Sequence, residues 1–389
     1  MTELTLTHAR IVLPDAVVEG TVHARDGRIA DVSEGAFAGS RAGGAIDLEG
    51  DYLVPGLVEL HTDHVEPHFT PRPGVRWDPT LAVVAHDAQI AGSGITTVFD
   101  ALCIGMDQDR VERSGAEELR GLVRATRAAQ DAGLLRAEHF THLRCEVAAP
   151  GVMEDWAAFE DEPSVRLVSL MDHTPGQRQF TSLDAHMLFY KGRNGMSDAQ
   201  YDAFVAERRE RALRFSDRHR RAIARAARER GLPIASHDDA TSAHVDEAVR
   251  DGIALAEFPT TLEAADASRA NGIAVLMGAP NVVRGKSHSG NVAALDLARA
   301  GALDILSSDY VPYALMQAAF ALPERTRGEA EPWDLPRAIR TVTKTPAETI
   351  GLRDRGAIEP GRRADLVRVR LHEGRPIVRE VWREGRRVS

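Results

Sequence analysis

Short apolar runs, most of which end in histidine or a carboxylate, alternate with stretches of helical spacing and constrain this chain more than any other feature. Eight such runs stand out: Leu57–His61, Thr96–Asp100, Glu138–Glu146, Val165–Asp172, Pro233–His237, Ala254–Phe258, Ala274–Gly278 and Asp304–Asp309. Between them lie helical stretches such as Glu117 to Ala132, Asp198 to Arg230, Ala240 to Asp251 and Gly290 to Ala300. Strand then helix, repeated, predicts parallel βαβ units with right-handed crossovers. Eight units over about 300 residues fit a (β/α)8 barrel of the TIM type. A doubly wound open sheet is the other fold that shares this alternation.

The flanks read differently. Leu4 to Val12, Val17 to Arg25, Arg28 to Val32 and Ala45 to Leu48 are short β-rich runs separated by Asp-Gly and Gly-rich turns, and Gly361–Val367 and Ile377–Arg383 repeat the pattern. Period-two runs of this kind predict antiparallel hairpins. The expected layout is a small β-sandwich domain from both termini, residues 1–54 plus 355–389, around a barrel over residues 55–354.

Composition narrows the class. A chain of 389 residues buries a large core without disulfides. Its two cysteines, Cys103 and Cys145, form no framework and suit a reducing cytoplasm. The start, Met1 to Leu6, lacks a basic segment followed by an apolar one, so a cytoplasmic protein without a signal peptide is expected. No apolar run approaches the ~18–20 residues of a membrane span. A net charge of −10 and a pI near 5.9 oppose nucleic acid and anionic lipid as partners. Arg208, Arg209, Arg211, Arg218, Arg220 and Arg221 lie among Glu207, Glu210, Asp217 and Glu229, which makes a solvated ion-paired helix face, not an RNA surface.

Barrel enzymes place their chemistry at the C-terminal ends of the strands. There this chain carries His61 and Asp63, Glu146, Asp172 and His173, His237 with Asp238 and Asp239, and Asp309. Imidazole and carboxylate are the ligand set of zinc, manganese or iron. His61 and Asp63, two apart on an extended chain, share a face.

This constellation resembles the amidohydrolase superfamily. The matching residues are Val54-Pro55-Gly56-Leu57-Val58-Glu59-Leu60-His61-Thr62-Asp63, Gly94-Ile95-Thr96-Thr97-Val98 and Gly361-Arg362-Arg363-Ala364-Asp365-Leu366. Two features depart from its pattern. Asp63 replaces the second histidine of the first-strand motif. No lysine follows a strand where a carbamylated bridge would sit, since Lys191, Lys286 and Lys344 are the only three. The resemblance implies two divalent ions, zinc first among the candidates, with His61 and Asp63 on one, His173 and His237 on the other, and Glu146 as bridge. Glu146 falls on the third predicted strand, whereas the superfamily usually takes this ligand from the fourth.

Within the superfamily the chain resembles the triphosphate diphosphatases of phosphonate utilisation. His61 to His68, Met171-Asp172-His173-Thr174-Pro175-Gly176-Gln177, Gly278 to Asn291 and Ser307-Ser308-Asp309-Tyr310 carry that likeness. It implies hydrolysis of a ribosyl methylphosphonate triphosphate between the α and β phosphorus atoms, with Asp309 orienting or deprotonating the water. The residues after the seventh strand suit such an anion: Asn281, Arg284, Lys286, Ser287 and His288, with His64 a further contact. A hydrolase of cyclic amides or N-acyl groups is the competing activity, and a non-catalytic scaffold barrel is a third. A homodimer would be unsurprising.

Overall fold

The computed structural model describes residues 2–35, 44–105, 115–178, 187, 197–287 and 290–389. The N-terminal flank forms β1 (Glu3–Val12), β2 (Val17–Arg25), β3 (Arg28–Glu34), β4 (Ile46–Asp47) and β5 (Tyr52–Pro55). The barrel strands are β6 (Leu57–Thr62), β7 (Ile95–Ile104), β8 (Glu138–Glu146), β9 (Val165–Met171), β10 (Ile234–His237), β11 (Leu255–Glu257), β12 (Ala274–Gly278) and β13 (Ile305–Ser307). The chain ends in β14 (Leu366–His372), β15 (Arg375–Arg383) and β16 (Arg386–Arg387).

The eight barrel strands pair in chain order, all parallel. The ends of that sheet meet through a parallel bridge between Thr62 and Asp309, with Asp309 N–H donating to the His61 carbonyl at 3.1 Å and Asp63 N–H to the Asp309 carbonyl at 2.9 Å. The eight expected strands are the eight observed, so Glu146 does end the third.

Both termini enter one mixed sheet, ordered β16-β15-β14-β5-β1-β2-β3, with β4 beside β1. Leu6, Ile11, Leu53, Leu366 and Trp382 are buried in its core. Gly56 joins this sheet to the barrel. A Cβ there would stand 2.2 Å from Thr96 Oγ1 and 2.9 Å from Asp365 Cβ, so only glycine fits. Arg363 and Arg355 lash the same junction to Glu138 at the start of β8.

Apolar side chains fill the barrel floor: Val58, Leu60, Phe99, Leu167, Ala235, Leu255, Leu276 and Ile305 form one buried cluster. Helices pack outside, and several start at side-chain caps. Asp78 caps Pro79–Gly92, Thr241 caps Ser242–Asp251 and Thr261 caps Leu262–Ala270, each accepting a backbone N–H that the first turn leaves free. The long helix Asp198–Glu229 bears ion pairs Arg221–Asp217 at 2.7 Å and Arg225–Glu229 at 2.8 Å, the solvated face expected of it. No helix among the described residues is long and apolar enough to cross a membrane.

Candidate active site

Above the floor, the two-residue step along several strands leads from an apolar to a polar side chain. Ala235 leads to His237, Leu255 to Glu257, Leu167 to Ser169, and Ile305 through Ser307 to Asp309. β8 gives the longest polar run, His142, Arg144 and Glu146. β6 breaks the rule. Its pairing with β7 shifts register between Glu59 and Thr62, a bulge pinned by the buried Glu59 carboxylate, which accepts from His61 N–H and Ser308 N–H, each at 2.6 Å.

Glu257, fully buried at the end of β11, organises the imidazoles. His61 Nδ1 meets its Oε1 at 2.9 Å, His237 Nδ1 meets its Oε2 at 3.2 Å, and the Ser169 hydroxyl donates to Oε2 at 2.7 Å. Burial pushes its pKa up, but the charges of His61 and His142 outweigh burial and hold the carboxyl well below the usual carboxylate range. With both Nδ1 atoms engaged, Nε2 is the free ligating atom of His61 and of His237.

Two donor groups result. His61, Asp63 and Asp309 each offer an atom within 4.8 Å of the others, and His173, His237 and Asp238 do the same. Asp309 and Asp238 both take left-handed backbone angles, φ 57° and 56°. Such angles are costly for these residues and are concentrated at functional sites. Asp238 Oδ2 is buried without a hydrogen-bond partner. A buried carboxylate oxygen left unpaired beside two imidazoles is unfavourable until a cation meets it, so the donors present fit a divalent metal ion.

These groups open into a cavity of about 380 Å³ at the C-terminal ends of the strands, which is also lined by Asn281, Arg284, Lys286, Ser287 and Asn291. The short helix Ala279–Arg284 springs directly from β12, and Gly285, at φ 76°, ends it. Asn281 Oδ1 accepts from Ala294 N–H at 3.1 Å, which ties the next segment back to this rim. Arg284 and Lys286 are exposed and have no carboxylate partner among the described residues.

His61, Asp63, His173, His237, Asp309, Asn281, Arg284, Lys286 and Ser287 therefore share one cavity. Glu146 stands behind it, with His173 Nδ1 donating to its Oε2 at 2.6 Å and His173 N–H to its Oε1 at 3.1 Å. Among the described residues it belongs to neither donor group. His64 is not among the lining residues and packs against His68 and His86. His288 lies outside the described residues. Arg178, another cation near the fourth strand, is buried in ion pairs with Asp239 and Glu247.

Two residues here were not singled out by sequence reasoning, and a third was given no role. Arg144 donates to Asp63 Oδ1 at 2.5 Å and Oδ2 at 2.6 Å, and it lies two residues before Glu146 on the same strand face. Glu257 was visible as a charge ending an apolar strand. Asp238 was seen beside His237 but not assigned a role.

The amidohydrolase family model matches residues 88–389. A curated alpha-D-ribose 1-methylphosphonate 5-triphosphate diphosphatase from Escherichia coli strain K12 is 45% identical over 385 residues, 99% of this chain and 100% of that protein. Among solved structures, N-acetyl-D-glucosamine-6-phosphate deacetylase from Mycobacterium smegmatis superposes with a TM-score of 0.62 at 17% identity, covering 99% of this chain and 100% of that one. N-isopropylammelide isopropylaminohydrolase from Burkholderia multivorans gives 0.62 at 18% identity, covering 100% and 98%. These two share the fold. With a matched model over most of its length and a full-length relative at 45% identity, the chain belongs to the amidohydrolase family.

Proposed function

We propose that this cavity hydrolyses a ribosyl triphosphate, alpha-D-ribose 1-methylphosphonate 5-triphosphate, between its α and β phosphorus atoms to give the 5-phosphate and pyrophosphate. The observation that carries the reading is one cavity holding a His–carboxylate donor set together with a guanidinium and an ammonium, Arg284 and Lys286. Full-length similarity to a diphosphatase of that name supports it.

His61 with Asp63, and His173 with His237 and Asp238, would hold divalent ions, zinc in our reading, with Glu146 orienting His173 from behind. Such ions supply Lewis-acid charge and lower the pKa of water. Asp309 accepts the proton of the attacking water at a carboxylate oxygen. The water oxygen bonds to the α-phosphorus as the α–β bridging P–O bond breaks, and the bridging oxygen leaves with pyrophosphate. Arg284 and Lys286 balance the charge of the leaving group, and Asn281 and Ser287 offer hydrogen bonds to its oxygens. Arg144, paired with Asp63, sets that carboxylate in place. The buried thiols of Cys103 and Cys145, neither in a disulfide, fit a cytoplasmic enzyme.

Incubation of the purified protein with the triphosphate, or with ATP as a surrogate, and identification of the released ion test this reading. Pyrophosphate is expected; orthophosphate, or release of neither, contradicts it. Asp309→Asn is expected to abolish turnover with metal content near wild type, and full activity in that variant removes Asp309 from its role.

A further inference from the structure

Beside the cavity, in the segment that follows β6, three further imidazoles converge. His64 and His68 are four residues apart across the short helix Val65–Phe69, and His86 comes from the helix Pro79–Gly92. A ring nitrogen of each lies within 4.8 Å of one from the other two. The ring centroids are separated by 5.1 Å for His64 and His68, 5.9 Å for His64 and His86, and 5.6 Å for His68 and His86.

The partners of these rings single out the free atoms. His64 Nδ1 and His86 Nδ1 are buried and have no hydrogen-bond partner, and the His86 ring is fully buried. His68 Nδ1 donates to the His64 carbonyl at 3.0 Å, which leaves its Nε2 with a lone pair. His86 Nε2 donates to Asp100 Oδ1 at 2.7 Å, and Asp100 Oδ2 accepts from His139 Nδ1 at 2.8 Å. A carboxylate behind an imidazole, fixing its tautomer so that the other nitrogen faces inward, is the support that metal-ligating histidines usually have.

A core packing of three histidines would satisfy these nitrogens with hydrogen bonds. Two buried ring nitrogens with nothing to meet are unfavourable. A cation shared by the three imidazoles removes that penalty.

We propose that His64, His68 and His86 form a separate site for a divalent transition metal ion, of the zinc type, with a fourth position open to water. It would clasp the segment carrying Asp63 to the helix that covers β6 and β7. None of the three lines the cavity, so the site is additional to the donor groups described above. Three imidazoles with one open position suit tetrahedral zinc or cobalt(II).

Metal-stripped protein dialysed against cobalt(II) supplies the first test. His68→Ala and His68→Phe are expected to bind about one equivalent less than wild type and to lose part of the tetrahedral cobalt absorption. His237→Ala is expected to lose ions from the main cavity and keep that equivalent. Equal cobalt binding by wild type and both His68 variants overturns the proposal and leaves the reading of the cavity untouched. A second test needs no variant: in zinc-soaked wild-type crystals, an anomalous peak at the zinc edge among the three rings supports the site, and no peak there overturns it.

Discussion

Glu257 has the largest reach of any single side chain in the site, because one carboxylate fixes the Nδ1 atoms of both His61 and His237. Glu257→Gln keeps the shape but removes the charge and turns one of its two hydrogen-bonding oxygens into an amide donor. Metal affinity is expected to fall by about 10–100-fold, read by competition with a chromophoric chelator. The cationic rim makes a different prediction. Arg284→Met and Lys286→Met each remove one charge-assisted contact, worth roughly 1.5–3 kcal/mol. KM for the triphosphate is expected to rise about tenfold or more, with a smaller effect on kcat, in steady-state assays. The proposed ligands His61, His173 and His237 were legible because histidine at or just past the end of an apolar strand stands out. Arg144 was within reach of the same logic, since counting back two from Glu146 lands on it. The bulge at Glu59 was not, because it depends on a carboxylate meeting the backbone of β13, almost the whole barrel away in sequence.

At the level of strands and their junctions, the reading of alternating β and α segments located all eight barrel strands, since most carried an apolar floor residue followed by a polar side chain at or just beyond the C-terminal end. How the terminal hairpins join was less visible. β1 runs parallel to β5 and β14 antiparallel to it, a register set by pairing across the length of the chain. Gly56 marks that junction. Gly56→Val is expected to cost several kcal/mol, about 3 or more, since Thr96 and Asp365 leave no room, and a lower denaturation midpoint would register it. Glu138 gives the junction a pH dependence. Burial pushes its carboxyl up, but Arg355 and Arg363 overcome burial and hold it below its ordinary value of 4.5. Its contribution is therefore present above pH 4.5 and is lost as the pH falls through the lowered folded value. Glu138→Gln is expected to destabilise at neutral pH by on the order of 2 kcal/mol and to flatten the acid limb of a stability–pH profile.

For the molecule as a whole, the fold is shared with enzymes that are 17% and 18% identical and carry other names, so the scaffold alone does not specify the reaction. What specifies it is where charge sits. A protein of net charge −10 gathers Arg144, Arg284 and Lys286 around one acidic donor set. Bound ions that favour only the folded state add stability by mass action. Chelation is expected to lower the thermal midpoint by a few degrees, with restoration on adding zinc, as read by calorimetry.

In the proposed reaction, water attacks the α-phosphorus within this cavity. Hydrolysis in water enriched in heavy oxygen, followed by phosphorus NMR of both products, tests it directly. The label is expected on the 5-phosphate with the pyrophosphate unlabelled; label in the pyrophosphate would contradict the account.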